Sequence, residues 1–281
     1  MILYKKTSPL GGWLAGQRSK GNQIGFVPTM GALHSGHLSL IDASRKANPV
    51  TVASIFVNPT QFNDPRDFEK YPVTIEKDIE LLETAGADVL FLPSVAEVYP
   101  GGTGQLQHYD LGYLETVLEG KYRPGHFQGV CNVMQRLLDR VQPDNLYMGQ
   151  KDYQQCMVVK RLLQLMDSPI RLYPCPTLRE PDGLAMSSRN TRLSPEERKK
   201  APAMYEALQY LQANLRPGPT EIVLKKAEAI LTGHGFRVDY VAISDAETLE
   251  PVNKWDGRQK IVALAAAFQQ EVRLIDNLLL N

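Results

Sequence analysis

The sequence predicts an α/β fold: a Rossmann-like parallel-sheet domain over residues 1–176 and a smaller C-terminal α+β domain over 177–281. Two observations carry this. Short apolar runs alternate with stretches of helical period through the first part, the pattern of βαβ units. Beyond it the order changes to helices followed by three strands.

In chain order, "QIGFVP" at 23–28 is an apolar run between Gly and Pro and reads as a strand. Residues 36–47 read as a helix, with Leu38, Ile41 and Ala43 on its apolar side. The continuous run "TVASIFV" at 51–57 fits a buried strand. Helical spacing returns at 74–85 through Ile75, Ile79, Leu82 and Ala85, with Gly86 as a stop and "ADVLFLP" as the next strand. A helix over 127–140, a strand at "NLYM", a helix over 152–166 and a strand at "IRLYP" complete the first domain. In the second, Ser194, Pro195 and Glu197 form a capping box with an opening proline. A further helix spans Thr220 to His234 with Gly235 past its end, and "RVDYVAI", "KIVALAAAF" and "VRLID" read as strands.

Thirty-one basic and 31 acidic residues leave no net charge, with pI near 7.0, so neither a nucleic-acid footprint nor a polybasic membrane patch is expected. The first residues lack the apolar run of a signal peptide, and the longest apolar run, "IVALAAAF", is too short to span a bilayer. Cys131, Cys156 and Cys175 lie far apart without metal-ligand spacing, which points to a reducing, cytoplasmic setting.

His34 and His37 sit three apart where a strand gives way to a helix. Zinc needs three or four ligands, and no HExxH or Cys cluster supplies the rest. Helix N-terminal amides and dipole suit phosphate. Gly31 and Gly36 allow close backbone approach to a ligand. The two histidines alone leave a surface-loop reading equally open. Other polar segments follow the strands, where parallel sheets bind ligands. "VNPTQF" places Asn58 and Gln61 at a strand's carboxyl end, where neutral amides suit hydroxyl and carboxylate groups. "KYRPGHF" holds Arg123 and His126 just before a helix. "GQKDYQQ" offers Lys151 as a point charge for phosphate, and "AMSSRN" offers two hydroxyls and a guanidinium. Taken by themselves, "VNPTQF" and Lys151 read better as a polar turn and a solvated surface charge, and "KYRPGHF" and "AMSSRN" are also compatible with a solvated loop and a hydrophilic linker.

The string "FVPTMGALHSGHLSLI" resembles the ATP loop of the pantothenate synthetases, which join pantoate to β-alanine. Its "HSGH" is similar to the HxGH signature of the nucleotidyltransferase superfamily, which includes class I aminoacyl-tRNA synthetases. The other segments stand in that family's order and spacing from about residue 25 to 195. The resemblance implies an ATP site lined by Met30, Gly31, Ala32, Leu33, His34, Ser35, Gly36, His37, Gly149, Gln150, Lys151, Asp152, Leu178, Met186, Ser187, Ser188 and Arg189. It implies a substrate site of Asn58, Gln61, Arg123, His126 and Gln155, with the two glutamines meeting pantoate and Arg123 and His126 either touching substrate or supporting the pocket. The catalytic set would be His34, His37, Lys151, Ser188 and Arg189.

The activity so implied is condensation of pantoate with β-alanine through pantoyl adenylate, releasing AMP and pyrophosphate, in vitamin B5 biosynthesis. Magnesium is expected with ATP, without a tightly bound organic cofactor or a protein metal site. The family further implies a cytoplasmic homodimer and a C-terminal domain closing over the site. Two departures from the family pattern stand out, and one difference from the aminoacyl-tRNA synthetases. Arg66 and Val73 replace an expected acid and arginine in the segment after Gln61, where Asp67 is a candidate for the magnesium–phosphate group. "MSSRN" stands where the synthetases carry KMSKS but lacks its lysines, leaving Lys151 to supply charge. A tRNA synthetase would need a basic surface that this neutral chain lacks. A nucleotidyltransferase acting on a phosphorylated small molecule has no evident use for Gln61 and Gln155. A non-catalytic nucleotide sensor would bind ATP without pyrophosphate exchange.

Overall fold

The structure, a computed structural model, describes residues 1–62, 68–104 and 106–281. Arg66 and Asp67 lie outside the described residues. The chain forms two compact units, Met1–Gly149 with Gln155–Pro176, and Gln150–Gln154 with Thr177–Asn281. Gln150–Gln154, placed by sequence in the first domain, thus packs with the second unit.

The first unit is built on a six-stranded sheet, all of whose pairings are parallel. Its strands are β1 (Ile2–Tyr4), β2 (Ile24–Thr29), β3 (Val50–Ile55), β4 (Val89–Phe91), β5 (Asn145–Gly149) and β6 (Arg171–Cys175), in the order β1-β4-β3-β2-β5-β6. Its helices are α1 (Thr7–Arg18), α2 (Ser35–Ala47), α3 (Ile75–Thr84), α4 (Val95–Val98), α5 (Leu118–Tyr122), α6 (His126–Val141) and α7 (Tyr153–Leu165). Consecutive strand residues serve opposite faces. Phe26, Val52, Phe91 and Leu146 enter one core with α1, α6 and α7, whereas Val27, Ala53, Leu90 and Tyr147 enter another with α2 and α3. Burial on both faces explains why these strands read as continuous apolar runs. Strand order reverses between β2 and β5, so the loops leaving their carboxyl ends lie where such sheets bind ligands.

Sequence periodicity did not reveal β1 and α1, so the strand before the histidine pair is the second in the chain. Helix α1 carries Gly11, Gly12 and Gly16, each costing about 1 kcal/mol against alanine. Leu10 and Leu14 are fully buried and contribute roughly 1.5–3 kcal/mol each, so packing outweighs propensity.

The second unit has an antiparallel sheet in the order β11 (Val272–Leu279), β10 (Ile261–Gln269), β8 (Arg237–Asp245). A two-residue pairing joins β7 (Gly218–Pro219) to β9 (Lys254–Trp255). Its helices are α8 (Pro195–Lys200), α9 (Ala203–Asn214) and α10 (Glu221–Gly233). Every second residue of β10, from Ile261 through Ala263 and Ala265 to Ala267, enters one core with Leu208, Leu211 and Leu231. The capping box at Ser194 forms as expected. The helix it opens stops at Lys200, and Pro202, which has no N–H to donate, precedes α9.

Candidate active site

The β2–α2 loop turns through two left-handed residues, Gly31 at φ +85 and Ala32 at φ +49. A side chain at Gly31 would place its Cβ 3.1 Å from both Asp78 Oδ2 and Ile55 Cγ2. Ala32 bears a cost of about 1–2 kcal/mol in this conformation, and Asp78 holds it there. That carboxylate, fully buried on α3, accepts from Ala32 N–H at 2.9 Å, Leu33 N–H at 2.8 Å and the Thr74 hydroxyl at 3.1 Å. Asp78 is absent from the sequence-derived site, yet it sets the shape of the loop. The signal was present: position 78 falls on the apolar stripe defined by Ile75, Ile79 and Leu82. A carboxylate there needs buried donors.

His34 is the N-cap of α2 and His37 is its third residue. His34 Nδ1 accepts from Gly36 N–H at 3.1 Å, and His37 Nδ1 accepts from His34 N–H at 3.3 Å, a reciprocal capping box built from imidazoles. The rings lie 4.0 Å apart, tilted by 39°. Accepting at Nδ1 puts the proton of each neutral ring on Nε2. This narrows the set of backbone amides that can be turned to a ligand. The amides of Ala32 and Leu33 are taken by Asp78, and those of His34 and Gly36 by the imidazoles.

From this loop a hydrogen-bonded run continues through the first unit. Gln61 Nε2 lies 3.1 Å from Met30 Sδ, and Gln61 Oε1 accepts from Asn58 Nδ2 at 3.0 Å. Asn58 is 1% exposed. Its Nδ2 also donates to Gly129 O at 3.2 Å, and its Oδ1 accepts from Tyr99 at 2.8 Å and Thr60 at 3.0 Å. Asn58, which the resemblance assigns to the substrate site, is engaged on both sides of its amide and orients Gln61. Helix α6 comes this close because residue 129 is glycine, whose added Cβ would lie 2.2 Å from Thr60 O. His126 Nε2 stands 3.1 Å from the Arg123 guanidinium and Nδ1 stands 2.8 Å from Gln61 O. Arginine only donates, so Nε2 accepts and Nδ1–H donates to the carbonyl. Both nitrogens of His126 therefore fix Gln61 and Arg123, in keeping with the pocket-support alternative of its expected role. Glu119 Oε2, 3.6 Å from Arg123 Nη1, offsets part of that charge. Gln155 is half-buried in the first turn of α7. Gly149 ends β5, where an added Cβ would meet no atom within 4 Å, so packing does not explain that glycine.

In the second unit, Gln150, Lys151 and Asp152 form one 3₁₀ turn. Lys151 Nζ lies 3.7 Å from Asp152 Oδ1. Arg179 grips the buried Asp276 with two hydrogen bonds, 2.6 and 3.0 Å, and lies 3.8 Å over the Tyr205 ring. Burial pushes the Asp276 carboxyl up from its ordinary value, opposed first by Arg179 and also by the charge of Lys151. Arg179 and Ala185 pair across a hairpin closed by Met186 N–H donating to Leu178 O at 3.0 Å. The hairpin leads to Ser187, which caps the 3₁₀ turn Ser188–Arg192 by accepting from Arg189 N–H at 3.3 Å. Val73 is 68% exposed. Among the described residues no group of three or more His, Cys, Asp or Glu is arranged to hold a metal ion, and no helix is long and apolar enough to cross a membrane.

A family model for pantoate-β-alanine ligase matches residues 3–279. A pantothenate synthetase of Bacteroides thetaiotaomicron is 44% identical over 268 residues, 94% of each chain. The crystal structure of pantothenate synthetase from Thermus thermophilus aligns with a TM-score of 0.91 at 43% identity, covering 99% of both chains. That of pantoate-β-alanine ligase from Francisella tularensis, complexed with β-γ ATP and β-alanine, aligns at 0.82 and 37% identity, covering 99% of this chain and 97% of that one. With a family match that runs through both units, the chain belongs to the pantoate-β-alanine ligases, an enzyme family.

Proposed function

We propose that the chain makes pantothenate in two steps, activating pantoate with ATP and then transferring the acyl group to β-alanine. The observation that carries this reading is the run from the imidazole-capped α2 through Met30 to Gln61, Asn58, His126 and Arg123. It joins donors suited to phosphate to an amide and a guanidinium suited to a hydroxy acid. The Francisella relative's complex with ATP and β-alanine supports the same ligands.

A carboxylate does not condense with an amine in water until it carries a leaving group. In the first step a pantoate carboxylate oxygen attacks the α-phosphorus of ATP, supplied as its magnesium complex, and pyrophosphate departs. In the second, the amine of β-alanine attacks the acyl carbon, loses a proton, and AMP leaves. The Nε2–H groups of His34 and His37 donate to phosphate oxygens as charge grows in the first step. Lys151, Ser187, Ser188 and Arg189 are assigned to the same charge and to the departing pyrophosphate. Gln61 and Gln155 orient pantoate, so the chain's part is alignment and charge stabilisation. We further infer that the protein is cytoplasmic and forms a homodimer; sedimentation of the purified protein checks the dimer.

Pantoate labelled with ¹⁸O in its carboxylate tests the reading. Attack on the α-phosphorus delivers one label to AMP. Label in inorganic phosphate with ADP as co-product would show an acyl-phosphate route and refute it.

A further inference from the structure

The five-residue run Gln150–Gln154 packs with the second unit, and strand β11 hydrogen-bonds to its first two residues. Asn277 of β11, 2% exposed, donates from Nδ2 to the carbonyl of Gln150 at 2.9 Å and to that of Lys151 at 2.8 Å. Its Oδ1 is 3.5 Å from Gln150 Nε2. A carboxamide has two N–H donors, and here both are spent on consecutive carbonyls. The backbone at Asn277 is itself pinned. Asp276 Oδ1 accepts its N–H at 2.8 Å, and Arg179 donates to its carbonyl at 3.2 Å while gripping Asp276. Neighbouring strand residues project to opposite faces, so one point on β11 serves both the Lys151 turn and the hairpin leading to Ser187. A second anchor follows at Tyr153, whose hydroxyl donates to Ala246 O at 2.6 Å.

We propose that Asn277 is a positioning residue for Lys151, fixing the backbone from which the ammonium reaches phosphate. This rests on the phosphate role proposed for Lys151. Nothing in the local sequence hints at it, since no catalytic motif is legible after residue 195.

A double-mutant cycle on ATP–pyrophosphate exchange, with Asn277→Ala, Lys151→Ala and both, tests it. Lys151→Ala should lower exchange kcat by ~10²–10³-fold. Asn277→Ala should lower it by up to ~10²-fold, the cost of a displacement of about 1 Å, with the KM for pantoate unchanged. In the Lys151→Ala background Asn277→Ala should add almost nothing. A full additional loss there, or a KM effect equal to the kcat effect, overturns the proposal while the Lys151 role stands. Unchanged exchange in Lys151→Ala overturns both. If Asn277→Ala does not fold, Asn277→Asp, similar in volume but aiming a carboxylate at two carbonyls, takes its place. Failure of both to fold assigns Asn277 to stability alone and overturns the proposal.

Discussion

Replacing Asp78 by asparagine tests how the histidine loop is held. Asp78 Oδ2 accepts from Ala32 N–H at 2.9 Å, and Oδ1 accepts from Leu33 N–H at 2.8 Å and Thr74 at 3.1 Å. Asparagine keeps one oxygen and turns an NH₂ group on the remaining amide. A hydrogen bond to a charged acceptor is worth about 1.5–3 kcal/mol, and an opposed buried donor adds to the loss. The expected destabilisation is therefore about 2–4 kcal/mol, or a melting point roughly 5–15 °C lower for a unit of this size. Ala32 at φ +49 would be held in a costly conformation with less to hold it, so the loop should relax. A shift of about 1 Å at His34 and His37 would lower exchange ~10²-fold in the folded fraction. Calorimetry and exchange on the same preparation decide it. Near-parental melting together with near-parental exchange would refute the assignment of the loop's shape to Asp78.

Three further outcomes follow from the structure. His37→Ala removes the hydrogen bond to His34 N–H, worth about 0.5–1.5 kcal/mol, but should lower exchange ~10²–10³-fold; a large melting loss with normal exchange in the folded fraction would contradict this. Gln61→Ala should weaken pantoate binding by ~1–3 kcal/mol and leave ATP binding intact, since His126 still holds the residue-61 carbonyl; calorimetric titration of each ligand separates the two. Glu97 is held at about 2, below its ordinary 4.5, first by the Thr7 backbone N–H at 2.8 Å and also by Lys6 at 3.0 Å. A carboxyl lowered on folding contributes stability above its unfolded value and loses it as pH falls from about 4.5 to 2. Glu97→Gln should flatten stability across that window, as acid titration of unfolding would show.

The parallel sheet was legible because strands buried on both faces must be apolar throughout, as "TVASIFV" is. The helix over Ile75–Thr84 was legible from its period alone. What escaped was whatever depends on a distant partner. Helix α1 hid behind three glycines whose cost is met by burial of Leu10 and Leu14. Residue type shows what Asn58 and His126 can bond, but not the partners each takes from other segments, Gly129 and Tyr99 for Asn58 and the Gln61 carbonyl for His126. Asn277 lies 126 residues from Lys151, and nothing local in "RLIDN" announces that contact.

The most direct measurement of the central claim is ATP–pyrophosphate exchange with pantoate present and β-alanine withheld. The motifs for phosphate and hydroxy acid come without an acyl-accepting nucleophile assigned to the chain, so the adenylate should form before the amine arrives. Exchange should therefore proceed with pantoate alone, fail without it, and release AMP only when β-alanine is added. An absolute requirement for β-alanine in the exchange would contradict the stepwise account.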